Sequence, residues 1–168
     1  MEGKKENRKK KNTQTAVFGM GCFWTPQRVF DKINGVISTE VGYMGGEEKK
    51  GDYSYEDVSY GKSGHAEVIK IEFDAEKINY EELLRIFWTN HDPTEVNRQG
   101  PDVGKQYRTT IFYISKNQKK KAEKSKQKEQ VKYKEKIATE IVKVGKFYRA
   151  EEYHQKFLEK RNLDSCRI

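Results

Sequence analysis

The chain has 168 residues, with a hydrophobic fraction of 34% and an aromatic fraction of 12%. This length is typical of a single domain, and the aromatic content excludes a chain that is disordered throughout. No run approaches the roughly 18–20 apolar residues of a membrane span, and the polar start lacks the apolar core of a secretory signal, so we expect a cytoplasmic protein.

The net charge of +8 is concentrated in two segments. Residues 1–12 carry a net charge of +4 and residues 116–136 carry +7, so the rest of the chain has a net charge of −3. We interpret residues 1–14 as a basic flexible arm, residues 15–168 as a single domain and residues 116–136 as an exposed lysine-rich helix. The alternative is a weak association of the two basic segments with RNA or acidic partners.

Hydrophobic patterning and turn residues predict the elements of the first half of the chain. In chain order these are a strand over 15–21, a helix capped by Thr25 that ends at Asn34–Gly35, a strand over 37–43 and a long loop over 44–64. Pro26, at the predicted first helical position, fits a helix start. Long loops inside compact domains are often functional.

The second half of the chain continues the alternation of strands and helices. The predicted elements are a strand over 67–74, a helix capped by Asn79 with Glu82 in a capping box, a loop over 91–106, a strand over 107–115, the lysine-rich helix, a strand over 139–144 and a final helix over 150–158. This order indicates an α/β (α+β) protein in which helices pack on a sheet.

Cys22 lies between the first predicted strand and the helix after it. The positive end of a helix dipole and the N–H groups there stabilise a thiolate, the nucleophilic form of cysteine. Gly19 and Gly21 leave the main chain accessible, and Phe23 and Trp24 can wall an apolar pocket. The alternative is a buried cysteine in a strand-to-helix turn.

Glu67 shares a strand face with Ile69, Ile71 and Phe73. If its carboxyl group is partly buried, loss of hydration raises the pKa and the group stays protonated near neutral pH, as a general acid requires. The alternative is a carboxylate at the rim of the sheet, in contact with water.

Three further polar residues border the two predicted loops. Tyr55 and Tyr107 each carry a phenol that can donate a hydrogen bond to a developing oxyanion, although most tyrosines simply pack. Asp102 can orient a neighbouring group, or it can be an ordinary turn residue between Gly100 and Gly104.

The three histidines are not spaced as zinc ligands, and we expect neither a metal nor a cofactor. His65 and Glu67 match the His-x-Glu half of the zinc-deaminase signature, but the chain has no Cys-x-x-Cys. A hydrolytic dyad of Cys22 and His65 stays open as a minor alternative.

Cys166 is the only other cysteine and lies near the chain end, where a mobile tail is expected. A reactive cysteine at a helix start, paired with a cysteine on a mobile tail, is the arrangement of enzymes that pass through a sulfenic acid and a disulfide. An incidental terminal cysteine is the alternative.

Several ordered motifs together resemble the A-type peptide methionine sulfoxide reductases. They are GCFW at 21–24, VGYMGG at 41–46, YEDV at 55–58, GHAE at 64–67, NHDP at 90–93, DVGKQYRT at 102–109 and YHQKFL at 153–158, followed by Cys166. The similarity extends from about Thr15 to the C-terminus and leaves only the basic arm outside.

This resemblance implies a two-layer, ferredoxin-like fold with a mixed sheet, and a monomeric thiol-disulfide oxidoreductase. It implies reduction of the S-epimer of methionine sulfoxide, free or in oxidised proteins and peptides, without nucleic acid or a membrane. Thioredoxin is the implied reductant, and the implied physiological role is repair of oxidised proteins.

The resemblance also implies a role for each matched residue. Cys22 is the implied nucleophile and Glu67 the implied acid. The other implied roles are substrate-methyl contacts by Phe23 and Trp24, oxygen binding by Tyr55 and Tyr107, a place for Asp102 in the same site, and recycling by Cys166. A module that binds oxidised methionine without reducing it is the runner-up interpretation.

Overall fold

The computed structural model describes residues 12–59 and 63–165. The strands in this part are β1 (Thr13–Met20), β2 (Val36–Met44), β3 (Ala66–Asp74), β4 (Arg98–Gln99), β5 (Asp102–Val103), β6 (Thr109–Tyr113), β7 (Glu140–Lys143) and β8 (Tyr148–Arg149). The α-helices are α1 (Trp24–Asp31), α2 (Tyr55–Ser59), α3 (Tyr80–Thr89), α4 (Lys116–Gln130) and α5 (Phe157–Lys160). Two 3₁₀ turns cover Lys105–Tyr107 and Glu152–His154.

Six strands form one mixed sheet in the order β7-β6-β1-β3-β2-β8, and β4 pairs with β5 in a separate hairpin. The four central strands are antiparallel neighbours, and they are connected as β1-α1-β2-β3-α3-β6. This split βαβ arrangement is the ferredoxin-like topology that the resemblance implied. The edge strands extend it: β7 runs parallel to β6, and β8 runs antiparallel to β2.

The main core lies between the sheet and its helices. Phe18 of β1 is fully buried there, and its ring contacts Phe30 of α1 and Tyr80 and Phe87 of α3, with centroids 5.0–6.2 Å apart. The apolar face of α3 is buried along its whole length and consists of Tyr80, Leu83, Leu84, Phe87 and Trp88. The side chain of Asn79 accepts a hydrogen bond from the main-chain N–H of Glu82 at 2.8 Å, which confirms the predicted cap.

The start of α1 differs from the prediction, because Thr25 is not the N-cap. Phe23 occupies that position, and its carbonyl oxygen already accepts a hydrogen bond from the N–H of Gln27 at 3.2 Å. Pro26 is therefore the third helical residue rather than the first. Proline is tolerated there because the first four N–H groups of a helix have no intrahelical partner. The helix also ends early, at Asp31.

The predicted C-terminal helix over 150–158 is wrong. A 3₁₀ turn over Glu152–His154 and the short α5 take its place, directly after β8. The side chain of Gln155 bonds to the N–H and carbonyl of Val41 and to the carbonyl of Ala150, which holds the chain against β2. Lys156 then adopts a left-handed φ of 54°, which no continuous helix allows.

The remaining differences concern loops and element ends. The predicted loop over 44–64 contains α2, and the predicted loop over 91–106 contains the β4–β5 hairpin. The lysine-rich helix ends at Gln130. Residues 1–11 of the predicted arm and Cys166 lie outside the described residues, whereas Thr13 and Gln14 already pair with β3. None of the helices in the described ranges is both long and apolar enough to cross a bilayer.

The contacts of Phe18 predict a large stability loss on truncation. Phe18→Ala should lower the free energy of unfolding by about 3–5 kcal/mol, because it leaves a cavity among three aromatic rings. Urea denaturation measures this loss. Val96→Ala is the control, since Val96 is 70% exposed, and it should change the stability by less than about 0.5 kcal/mol. Equal losses in the two variants would contradict this account of the core.

His91 predicts a loss of stability in acid. Its Nδ1 donates to the carbonyl of Phe87 and its Nε2 accepts from the hydroxyl of Thr109, both at 2.7 Å, so the neutral ring joins α3 to β6. Burial lowers the pKa of His91 from its ordinary value of 6.5 to about 4. The unfolded chain therefore binds a proton more readily than the folded chain. The contribution of neutral His91 to stability is complete above pH 6.5 and is lost as the pH falls from 6.5 to 4.

Between pH 6.5 and pH 4 the free energy of unfolding should fall by about 2–3 kcal/mol. Each unit of separation between the pKa of His91 in the folded and in the unfolded chain corresponds to about 1.4 kcal/mol. Urea denaturation at a series of pH values, on the wild type and on His91→Gln, measures the contribution of this residue as the difference between two curves. Parallel curves for the two proteins would refute it.

Candidate active site

An open cleft with a volume of about 1070 Å³ lies where β1 ends and β3 begins. It collects seven of the eight predicted site residues: Cys22, Phe23, Trp24, Tyr55, Glu67, Asp102 and Tyr107. The eighth, Cys166, follows Ser165, which also lines this cleft. The residues predicted from separate motifs therefore share one site.

Cys22 occupies the turn between β1 and α1, as predicted, and directly precedes Phe23, which is the N-cap in place of the predicted Thr25. Gly21 forms the turn with a φ of 82°, and a Cβ atom there would approach the side chain of Gln99 to 2.7 Å. Glycine is required for both reasons. The Cys22 side chain is half-buried at the cleft, beside the positive end of the helix dipole.

Glu67 is buried rather than at a wet rim, with 2% of its surface exposed. The β1–β3 ladder ends with Phe18 opposite Ile69, and Glu67, two residues before Ile69, pairs with Tyr43 of β2. Its Oε1 atom accepts a hydrogen bond from the main-chain N–H of Phe23 at 3.3 Å. The carboxyl group is thereby fixed next to the turn that carries Cys22.

Tyr55 and Tyr107 line the cleft from α2 and from the 3₁₀ turn before β6. Burial raises the pKa of Tyr107 far above its ordinary value of 10, and Glu67, Tyr55 and Asp102 raise it further. Tyr107 therefore stays a neutral phenol that can donate a hydrogen bond. Asp102 lies on β5, close enough to act on this phenol electrostatically.

His154 is a site residue that the sequence reasoning considered only as a zinc ligand. Its Nδ1 accepts a hydrogen bond from the indole N–H of Trp24 at 3.1 Å. Its ring also lies 5.3 Å from the ring of Phe23 and 5.1 Å from that of Tyr55, centroid to centroid. The available signal was the YHQKFL motif, which contains His154 but assigned it no role.

The indole of Trp24 is also supported on one face. The ring of Phe157 stacks on it with centroids 3.6 Å apart and an interplanar angle of 3°. The guanidinium of Arg161 lies 3.5 Å from the centroid of the Phe157 ring, a cation–π distance. Three flat groups in contact restrict the rotation of the Trp24 side chain.

His65 does not belong to the cleft, so the dyad with Cys22 is wrong. Its Nδ1 accepts from the N–H of Gly46 at 2.9 Å, and its Nε2 donates to the carbonyl of Glu47 at 2.8 Å. Both ring nitrogens thus hold the loop after β2. Among residues 12–59 and 63–165, no group of three or more His, Cys, Asp or Glu side chains is arranged to hold a metal ion.

The chain reaches the cleft again just before Cys166. Asp164 lies 2.8 Å from the ammonium of Lys32 and 3.5 Å from the guanidinium of Arg28, both near the end of α1. The Lys32 ammonium holds the pKa of Asp164 below its ordinary value. These ion pairs direct the tail along α1, and Ser165 lines the cleft beside Cys22 and Thr25.

Residues 14–168 match the family model described as peptide methionine sulfoxide reductase. A peptide methionine sulfoxide reductase MsrA from Methanococcus maripaludis is 54% identical over 151 residues, which cover 90% of this chain and 95% of that protein. Reduced Mxr1 from Saccharomyces cerevisiae is 38% identical with a TM-score of 0.84, over 89% of this chain and 86% of Mxr1. Mxr1 in complex with Trx2 is 27% identical with a TM-score of 0.62, over 84% of each chain.

The sequence similarity covers nine-tenths of the chain, and the solved structures share its mixed sheet and packed helices. Both findings agree with a cleft that joins a cysteine to a buried carboxyl group and two phenols. The chain therefore belongs to the A-type peptide methionine sulfoxide reductase family and is an oxidoreductase that reduces methionine sulfoxide.

Proposed function

We propose that the chain reduces the S-epimer of methionine sulfoxide through a sulfenic acid on Cys22 and a disulfide between Cys22 and Cys166. The observation that carries this mechanism is the buried carboxyl group of Glu67, hydrogen-bonded to the turn that holds Cys22. The turn that carries Cys22 and the carboxyl group of Glu67 are therefore joined directly at one end of the sheet.

The first step needs both groups because a sulfoxide sulfur is a poor electrophile until its oxygen gains a proton. The Cys22 thiolate attacks the sulfur while Glu67 donates its proton to the oxygen. Oxygen then passes to Cys22, so that methionine leaves and the cysteine is oxidised to sulfenic acid. A carboxyl group with 2% exposure suits this task, since loss of hydration disfavours its ionised form.

Tyr55 and Tyr107 act on the same oxygen in this proposal. Both side chains line the cleft, and the raised pKa of Tyr107 keeps its proton available for donation. Donors fixed in advance stabilise the charge that develops on oxygen without reorganising during the reaction. Asp102, electrostatically close to Tyr107, helps to keep that phenol neutral.

Phe23 and Trp24 form the seat for the methyl group of the substrate. Phe23 has only 1% of its surface exposed, and Trp24 is held by His154 at one edge and by Phe157 on one face. This rigid apolar wall binds the methyl group of the sulfoxide, and the hydrogen-bond donors beside it bind the oxygen. The site therefore distinguishes the two ends of the substrate.

Recycling follows from the path of the C-terminal tail. The thiol of Cys166 condenses with the Cys22 sulfenic acid to give a disulfide and water, and a dithiol then reduces this disulfide. The ion pairs of Asp164 and the place of Ser165 in the cleft bring the chain to within one residue of Cys166.

The complex of Mxr1 with Trx2 supports thioredoxin as this dithiol. All electrons come from thiols in this scheme, so it needs no metal or other cofactor. We assign the enzyme to the repair of oxidised proteins and peptides, with free methionine sulfoxide as a further substrate, and we propose that it acts as a monomer in the cytoplasm.

Adding methionine sulfoxide to the fully reduced protein, without a reductant, should remove two hydrogen atoms from its mass and yield one equivalent of methionine. Peptide mapping should locate a link between Cys22 and Cys166, because the sulfenic acid condenses with the tail thiol. Methionine itself is the control and should leave the mass unchanged. Unchanged mass after exposure to the sulfoxide would favour the alternative of a module that only binds oxidised methionine.

Glu67→Gln should slow the single-turnover formation of methionine by about 10²–10⁴-fold. The amide can still accept the N–H of Phe23, so the turn is kept while the acidic proton is lost. Rapid quenching with one enzyme equivalent measures the step.

Glu72→Gln is the matched control for this variant. Glu72 lies on the same strand and faces away from Glu67, where it accepts a hydrogen bond from Ser38 at 3.2 Å. It should react at the wild-type rate. Equal rates for Glu67→Gln and the wild type would refute the acid role.

A further inference from the structure

Glu151 links two walls of the active-site cleft without belonging to the motifs that the mechanism uses. It follows β8, at the start of the turn that carries His154. The N–H of Ala150 donates to the carbonyl of Val41 at 3.0 Å, and Gln155 brackets the same residues from the other side. The main chain at Glu151 is therefore fixed against the sheet.

The carboxylate of Glu151 faces two N–H groups on two different segments. Its Oε1 accepts the main-chain N–H of Tyr55 at 3.1 Å, at the start of α2. Its Oε2 lies 3.4 Å from Nε2 of His154, within ion-pair range although the two atoms form no hydrogen bond. The side chain is 31% exposed, so these contacts are partly shielded from water.

The contacts of His154 define which of its nitrogens carries the proton. Nδ1 accepts from the indole of Trp24, so it has no proton in the neutral ring, and the proton is on Nε2, facing Glu151. Burial lowers the pKa of His154, so the neutral ring prevails at neutral pH. A carboxylate 3.4 Å from Nε2 stabilises this tautomer electrostatically, because its negative charge lies beside the N–H group.

We propose that Glu151 is a positioning residue of the reductase. It holds Tyr55 of the oxygen-binding side, and it selects the His154 tautomer that fixes Trp24 on the methyl-binding side. This inference deepens the proposed function and rests on it for the roles of Tyr55 and Trp24.

Glutamine at position 151 has nearly the same shape but cannot serve both walls. Its one oxygen can face the N–H of Tyr55 or that of His154, and its NH₂ group then faces the other one. If the NH₂ faces His154, the tautomer reverses, and Nδ1–H then opposes the indole N–H of Trp24. If it faces Tyr55, the start of α2 loses its acceptor.

The test uses the full chain of the wild type, Glu151→Gln and Glu152→Gln. Glu152 is a matched control because it is the adjacent carboxylate, 76% exposed, and pairs with Arg149 at 2.9 Å, away from the cleft. Long-range ¹H–¹⁵N spectra of the substrate-free proteins identify the protonated nitrogen of His154. Steady-state kinetics with a methionine sulfoxide peptide follow activity.

We expect the wild type and Glu152→Gln to carry the proton on Nε2. Glu151→Gln should reverse the His154 tautomer or shift the Tyr55 amide resonance, and kcat/KM should fall by about 10–100-fold, because misplaced binding groups reduce the rate by such factors. A structural role alone would lower the unfolding temperature and leave the tautomer unchanged. The proposal would be overturned if Glu151→Gln had wild-type kinetics, or if it changed neither the His154 tautomer nor the Tyr55 amide resonance.

Two further measurements distinguish a failure of this inference from misfolding of the variant and from a failure of the proposed function. The wild-type spectrum needs no variant, so a proton on Nδ1 of His154 overturns the inference even if Glu151→Gln does not fold. It also needs no substrate. A wild type that fails to form the Cys22–Cys166 disulfide would count against the proposed function, while the tautomer result would still decide whether Glu151 controls His154.

Discussion

The hydrogen bond from the N–H of Phe23 to the carboxyl group of Glu67 is the contact on which the site depends. It joins the end of β1 to the beginning of β3, and it exists because these antiparallel neighbours bring those two ends together. A buried carboxyl group without a partner would cost several kcal/mol. The turn therefore stabilises Glu67, and Glu67 in turn holds the turn in the conformation that presents Cys22.

A second layer of contacts surrounds this pair and is mostly aromatic. His154 lies among Phe23, Trp24, Tyr55 and Tyr153, with ring centroids 4.1–5.8 Å away. Aromatic side chains bury a large area and have few rotatable bonds, so they supply a rigid wall at a small entropic cost. The polar groups within this layer, His154 and Glu151, give the wall its orientation through directed hydrogen bonds.

Local patterns predicted those elements whose causes are local. Strand β3 alternates and α3 has a side-chain cap, so both were found, and Cys22 was correctly placed between the first strand and the helix after it. The C-terminal segment was missed because Gln155 bonds to Val41, 114 positions away. Similarly, the bond from Tyr55 to Glu151 spans 96 positions and that from Trp24 to His154 spans 130, so no local signal reveals them. The motifs gave the reacting groups, and only the fold gives the groups that orient them.

The C-terminal segment connects substrate binding to recycling in the proposed cycle. Phe157 and Arg161 stack behind Trp24, and Asp164, three residues further on, is held by Lys32 and Arg28 of the segment that Cys22 precedes. The same stretch of chain thus supports the methyl seat and leads to Cys166. Exposed ion pairs are weak and open readily. In the proposed cycle, opening of these ion pairs lets the tail carry Cys166 to the sulfenic acid, while the stacked rings keep the wall of the cleft in place for the next substrate.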